Sequence, residues 1–467
     1  MAHRSKSKSR SKTLDGARAL EVKNPHACGV DLGSKEHLVC CPSVAGEERE
    51  VRSFPTDTSS LNELADWLGE RGVTTVAMES TGVYWIPLYE LLSQRGLEVF
   101  LVASRTVSRM SETKTDPRDS RWLQQLHACG LLRGAFRPGE DAVRFRALAR
   151  MKSTLVAERA DWLRRIQKEL DQMNVRVHHA VSDITGVTGM AMLHAIVAGE
   201  RSPAKLAALR DRRCHMSREQ IERELSGNWR EEHLLNLATA LAMYEFICER
   251  IEEVGSQIAA LLDSYRVRDG ADSTPAPPLP SAGKANTMRK RGQEEMRQTL
   301  FQFAGVDLTR VDCIGVETAE VLLSEIGPDL LSFPTEKQFL SYLRICPGVG
   351  ISGGKPVRNR KKPTIGSNRS RSALLIAAMS ARRSKTALGA CYRKLAFRKG
   401  DGVALFAVAR KLAQYVYRML RFGTDYVDQG LQRYEEQARE RRFRRLAQNA
   451  RELGFSLEPV EKTGAAS

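Results

Sequence analysis

Four carboxylates near the start of the chain have the types and spacing for divalent-cation chemistry. Asp31 closes the apolar run Cys28-Gly29-Val30-Asp31-Leu32-Gly33, and Glu79 closes Val76-Ala77-Met78-Glu79-Ser80-Thr81-Gly82. Asp116 and Asp119 stand one helical turn apart in Lys114-Thr115-Asp116-Pro117-Arg118-Asp119. Mg²⁺ takes hard oxygen ligands, so acids at two strand ends plus an i, i+3 pair predict a cation pocket. Two such ions about 3.5–4 Å apart activate a nucleophile and stabilise the leaving oxygen in phosphoryl transfer. A second candidate is Ser352, in Cys346-Pro347-Gly348-Val349-Gly350-Ile351-Ser352-Gly353-Gly354-Lys355. Glycines and a proline predict a turn with little steric cover over its hydroxyl, and a metal ion or carboxylate can activate a serine placed so. The bland alternatives are a helix cap for Asp116, a dipole partner for Asp119 and a solvated turn for Ser352.

The elements that must position these groups follow from periodicity. Residues 26–130 alternate strand and helix signals. Ala27–Val30 and His37–Cys41 predict a hairpin, and Glu50–Phe54 a third strand. Thr58 or Ser59 can cap a helix carrying Leu61, Leu64, Trp67 and Leu68 on one face. Val73–Met78, a helix from Tyr84 to Gln94, and Leu97–Val102 follow. Asp116-Pro117 reads as N-cap and N1 of a helix running to His127 and closed by Gly130. Three hairpin strands followed by βαβα is the order of a ribonuclease-H-like α/β domain, assigned to residues 23–135. Residues 140–264 read as helical. Ile247, Ile251, Val254, Ile258 and Leu261 step 4-3-4-3, a heptad seam open to either intramolecular packing or an intermolecular coiled coil. Leu148, Met151, Leu155 and Trp162 give a weaker stripe upstream. Residues 266–296, Pro-rich at 275–280, read as a flexible linker. A second globular region spans 297–425, mainly helical, and 426–467 is a charged tail.

Charge narrows the partner. The chain has 467 residues, net charge +17 and a pI near 9.6, which favours a polyanion. From Lys337 to Gly400 there are sixteen Lys and Arg and no acid. Lys355, Arg358, Arg360, Lys361, Lys362, Arg369, Arg371, Arg382 and Arg383 are the expected contacts to phosphate backbones. With aromatic residues at only 6%, duplex backbone is expected over base stacking. Upstream, Val311–Ala319 leads into Val321–Ile326 as a helix–Gly turn–helix whose amides can meet a phosphate. Residues 1–22 read as a disordered basic arm. Nine scattered cysteines without paired metal spacing fit a reducing cytoplasm, and no apolar run reaches membrane-span length.

Asp31, Glu79 and Lys-Thr-Asp-x-x-Asp, followed far downstream by Ser-Gly-Gly-Lys in a basic domain, resemble the DEDD transposases of the "IS one-ten" type of bacterial insertion sequences, related to the Piv DNA invertase. Gly29-Val30-Asp31-Leu32-Gly33-Ser34, Glu79-Ser80-Thr81-Gly82-Val83-Tyr84-Trp85 and Gly366-x-Asn368 agree with that family's patterns. The resemblance covers roughly 26–130 and 300–425. It implies a RuvC-like domain whose Asp31, Glu79, Asp116 and Asp119 hold Mg²⁺, and a C-terminal transposase domain whose Ser352 attacks a DNA phosphate to give a covalent phosphoserine. It further implies composite active sites, often across subunits of a dimer or tetramer, and a structured bridge RNA that pairs with donor and target DNA in a bacterial, nucleoid-associated setting. Two catalytic alternatives stand beside it, and a non-catalytic RNA- or DNA-binding protein is a third reading, opposed by intact acids at all four positions. One is a metal-only, RuvC-like structure-specific nuclease in which Ser352 is structural. The other is an actin-like sugar kinase, suggested by Gly29–Ser34 as a phosphate loop, although a second such loop is absent.

Overall fold

Period-two alternation builds the first unit. β1 (Ala27–Leu32), β2 (Glu36–Pro42) and β3 (Arg49–Pro55) run antiparallel, while β4 (Thr75–Glu79) and β5 (Glu98–Val102) lie parallel to β1. The sheet order is β3-β2-β1-β4-β5, consistent with the expected RuvC-like arrangement. The structure, a computed structural model, describes residues 21–42, 49–80, 82–102, 116–132, 134–212, 214, 216–269, 287–328, 330–346, 350–352, 355–357, 368–423 and 431–456. The chain divides into two units, Met1–Arg137 and Pro138–Ser467.

Even-numbered residues of β1 and β4 point one way. Cys28, Val30, Leu32, Val76 and Met78 bury against α1 (Thr58–Glu70) and α2 (Trp85–Gln94) through Leu61, Leu64, Trp67, Leu68, Leu88 and Leu92. Odd residues point the other way. Ala77 among them, together with Val102 of the neighbouring β5, joins Leu123 and Leu126 of α3 (Asp116–Ala128). The cap of α1 is Asp57, not Thr58 or Ser59. Its carboxylate accepts from the Ser60 amide at 3.0 Å, because the residue before the first helical one is the one with extended backbone.

The second unit is mostly helical. α4 (Glu140–Gln172) is followed by α5 (Val177–Ala180), α6 (Val187–Val197), α7 (Pro203–Ala208) and α8 (Arg218–Glu224), then by α9 (Glu231–Asp269). α4 and α9 pair antiparallel. The Tyr265 hydroxyl donates to the Asp141 carbonyl at 3.3 Å near one end, and His233 Nδ1 lies 2.8 Å from Glu169 near the other. The heptad seam is used in this intramolecular pair: Ile247, Val254 and Ile258 are buried, but the stripe continues through Leu262 and Tyr265, leaving Ile251 and Leu261 half-buried. A straight helix at 3.6 residues per turn drifts off a 3.5 repeat, which explains the shift. In α4 the buried positions are Ala142, Phe145, Ala149, Ile166 and Leu170; of the expected stripe Met151 is exposed and Leu148, Leu155 and Trp162 half-buried.

The C-terminal part of this unit comprises α10 (Thr287–Ala304), a 3₁₀ turn at Leu308–Arg310, α11 (Val316–Ile326), α12 (Glu336–Tyr342) and a hairpin of β6 (Gly350–Ser352) with β7 (Lys355–Val357). α13 (Arg369–Ser380), a 3₁₀ turn at Ala381–Arg383, α14 (Ala387–Lys399), α15 (Asp401–Phe422) and α16 (Leu431–Glu452) complete it. Helix therefore occupies both margins of the stretch 266–296 expected as linker, and its Pro-rich centre lies outside the described residues, as does most of the N-terminal arm. Among the described residues no helix is long and apolar enough to cross a membrane.

Candidate active site and nucleic-acid interface

β1 and β4 are neighbours, and their parallel register pairs Val30 with Met78. Asp31 and Glu79 are the next residue of each strand. They therefore stand side by side at the carboxyl ends of two adjacent strands, both half-buried. Both are odd-numbered and so belong to the face that α3 covers.

α3 runs against the strand direction. Its contacts step backwards along the sheet: Ser120 and Gln124 lie on Gly29, the Gln124 side-chain amide donates to the Ala27 carbonyl at 3.1 Å, and His127 Nε2 meets the Thr75 hydroxyl at 2.8 Å. The start of α3, with Asp116 as its first residue and half-buried Asp119 one turn on, therefore lies toward the strand ends where Asp31 and Glu79 sit. The approach is close because position 29 has no side chain. A Cβ there would fall 2.3 Å from the Gln124 amide nitrogen and 2.5 Å from the Ser120 carbonyl oxygen. Asp31, Glu79 and Asp119 all engage neighbours and are not free carboxylates. Among the described residues no three His, Cys, Asp or Glu groups converge as a metal-binding set.

Burial sets the protonation of the α3 anchor. It lowers the His127 imidazole to about 4, which keeps the ring neutral near pH 7, against Phe100 at a centroid separation of 4.9 Å. Burial also raises the Cys28 thiol well above its usual range, with Cys41 and Cys40 adding to the effect. That thiol is a packing group in the sheet.

Ser352 is the last residue of β6, in register with Lys355 of β7. The glycines Gly353 and Gly354 that follow it lie outside the described residues. Arg358, Arg360, Lys361 and Lys362 lie outside the described residues. After them Asn368 caps α13: its side chain accepts from the Arg371 amide at 3.0 Å and donates to the Tyr342 carbonyl at 3.1 Å.

The other expected phosphate contacts divide into two groups. Arg369 lies 3.7 Å from Glu325, and the Arg371 guanidinium sits 5.3 Å from the Phe406 ring centroid. Arg382 and Arg383 are exposed, the former 3.7 Å from Asp401. In the helix–Gly turn–helix stretch, Gly315 caps α11 and Asp312 accepts from Ser384 at 3.0 Å and from Thr386.

Sequence reasoning missed an ionic seam beneath this face. Glu325 of α11, only 8% exposed, receives a two-pronged Arg150 at 2.8 and 2.9 Å and Arg146 at 3.3 Å, both from α4. Glu320, one and a half turns earlier, takes Lys152 at 2.8 and 3.1 Å. Nearby, Arg297 of α10 pairs with buried Asp307 at 2.5 Å. Acids inside an otherwise apolar helix, Val316–Ile326, were the available signal, but nothing in the spacing names their partners.

Two family models match. One, described as a transposase of the DEDD IS110 type, covers residues 28–175 and so spans all four acids. The other, described as the transposase IS116/IS110/IS902 family, covers 307–393 and includes Ser352 and the ionic acids of α11. No curated protein matches the chain. Both matches are to transposases, which sets the sugar-kinase alternative aside. The chain belongs to the IS110-type transposases and is a DNA transposase/recombinase.

Proposed function

We propose that this transposase cuts and rejoins DNA with a carboxylate-held Mg²⁺ site and a serine nucleophile, as a homo-oligomer guided by an element-encoded structured RNA. One observation carries the reading: Asp31 and Glu79 lie side by side on adjacent parallel strand ends, on the face where α3 begins with Asp116 and Asp119. The donor set is all carboxylate, hard oxygen, which suits Mg²⁺ and disfavours softer metals. Bound there, Mg²⁺ supplies Lewis-acid stabilisation of charge on the reacting phosphate.

The protein's own groups do the rest. Asp31, Glu79, Asp116 and Asp119 hold position through the strand register and the packing of α3. Ser352 Oγ attacks phosphorus. The Oγ–P bond forms as its proton leaves to a general base, and the bond to one sugar oxygen breaks, that oxygen leaving with a proton. Reversal by a different DNA hydroxyl rejoins the strand and frees the serine. Lys355, Arg358, Arg360, Lys361, Lys362, Arg382 and Arg383 meet backbone phosphates of DNA or guide RNA, while Arg369, beside Glu325, and Arg371, beside the Phe406 ring, hold α13 in place. Sequence choice then rests in base pairing by the RNA.

The test is end-labelled donor DNA incubated with the protein, its RNA and Mg²⁺, followed by a denaturing protein gel. Label should migrate with the chain and vanish in both Ser352→Ala and Asp31→Ala, the latter losing roughly 10²–10³-fold in cleavage. Cut DNA without an adduct, persisting in Ser352→Ala, would instead establish the metal-only nuclease.

A further inference from the structure

Of the large hydrophobic side chains described, none is more exposed than Phe397, at 94%. It lies in the last turn of α14, which Gly400 ends in a left-handed conformation at φ 87°. The opposite face of α14 is firmly seated. Leu388, Cys391 and Tyr392 are buried, and a Cβ on Gly389 would fall 2.1 Å from the Ser384 carbonyl oxygen. Arg393 Nη1 donates to that carbonyl at 2.6 Å and to the Arg382 carbonyl at 3.3 Å, tying the helix to the preceding turn. Phe397 is thus a rigid aromatic ring held out from a packed scaffold.

Its surroundings select the occupant. Lys394 lies three residues before it, on the same helical face, and Arg398 and Lys399 follow; all three are exposed. Among the described residues no carboxylate pairs with Arg383, Lys385, Lys394, Arg398 or Lys399, and the chain carries no acid from 337 to 400. An apolar pocket on a protein partner would need a dense set of acids around it to meet these cations. A nucleic acid offers both surfaces at once, phosphates for the cations and a base face for the ring.

We infer that Phe397 is a stacking platform for the base of an unpaired nucleotide, flanked by Lys394, Arg398 and Lys399 as its phosphate contacts. This adds a base contact to a surface whose low aromatic content suggested backbone contact alone. It rests on the reading that the basic stretch from 337 to 400 meets nucleic acid. An unpaired base can come from a displaced DNA strand or from a loop of the RNA, and the chemistry is shared.

The full-length protein is titrated with single-stranded DNA, single-stranded RNA of the same sequence, and the blunt DNA duplex, each carrying 2-aminopurine. Stacking on the ring quenches that base. Phe397→Ala should lose the quench and weaken binding of at least one single strand by about 5–100-fold, leave the duplex unchanged, and be rescued by Phe397→Trp. The single strand that responds names the source. If Phe397→Ala binds both single strands as the wild type does, or weakens the duplex equally, the platform is wrong. The triple variant Lys394→Glu, Arg398→Glu, Lys399→Glu separates the two levels. If it weakens every probe while Phe397→Ala weakens none, only the stacking inference falls; if it weakens none, the nucleic-acid face itself falls. Because Phe397 is so exposed, its loss leaves the fold intact, and a matching melting curve for Phe397→Ala checks this.

Discussion

In the first unit the charges proposed for the chemistry are acids, and an apolar sheet carries Asp31 and Glu79. In the second unit they are cations, and one of them, Arg369, stands beside a buried acid. Asp31 and Glu79 need only the β1–β4 register and the close seat of α3 on Gly29 to stand together. Arg369, at the head of α13, instead leans on Glu325, which already carries Arg146 and Arg150 from α4. Packing tolerates a neutral change near the first site as long as volume is kept. The second site has less slack, because Glu325 is only 8% exposed and removing it leaves Arg146, Arg150 and Arg369, partly exposed themselves, without their shared acid.

The strongest way to break this contrast is Glu325→Ala. Truncating one member of a fully buried pair costs 3–5 kcal/mol, and with Arg150 about half exposed the expected loss is at the lower end, about 3 kcal/mol. Thermal or urea unfolding of the full chain measures it. Glu325→Gln, which keeps the shape and some hydrogen bonds, should lose less. Equal stability of Glu325→Ala and the wild type would show that α4 and α11 are held by apolar contacts, and the two units would then be built alike.

Gly29→Ala probes the other half of the comparison, with a smaller effect. The added methyl meets backbone atoms of α3 at 2.3–2.8 Å, and backbone gives way less readily than a side-chain tip. Overpacking of this kind costs about 1–3 kcal/mol. Since α3 also carries Asp116 and Asp119, strand cleavage should fall by more than the lost stability alone explains. Unfolding curves and a cleavage assay at a temperature where the variant is fully folded separate the two. Full cleavage activity in a destabilised Gly29→Ala protein would detach the seat of α3 from the site.

The unequal legibility of the two halves follows from the same physics. Strand alternation and short apolar runs exposed β1, β4 and the acids at their ends, because burial on a sheet repeats every two residues and is local. The boundaries moved only slightly: the α1 cap lay one residue earlier, at Asp57, and Glu79 fell inside its strand. Long-range pairings left no local trace. Nothing near Val316–Ile326 announces that Glu320 and Glu325 reach α4, 168 and 175 positions away. The 4-3-4-3 seam was visible, but its partner was not, and α4 supplies that partner within the chain. Phe397 sits in a segment whose period gives no sign of full exposure, since a ring near a helix end can turn inward or outward with equal ease.

The last prediction concerns pH and compares the anchor of α3 with the chain unfolded. His127 holds the back end of that helix through Thr75 and is itself 2% exposed. Burial depresses its folded value to about 4, whereas an unfolded imidazole titrates near pH 6.5. Between those values the unfolded chain binds a proton that the folded chain refuses, so stability rises with pH across the window. The contribution is complete above about pH 6.5 and is lost as the pH falls through 4. His37, also lowered by burial, adds to the same slope. His127→Gln can keep a hydrogen bond to Thr75 while removing one titrating group, so unfolding midpoints measured from pH 7 to 4 should fall less steeply than in the wild type without becoming flat. An unchanged slope would mean that the ring takes up its proton in the folded state by tilting toward solvent, and α3 would then be the looser of the two units' supports.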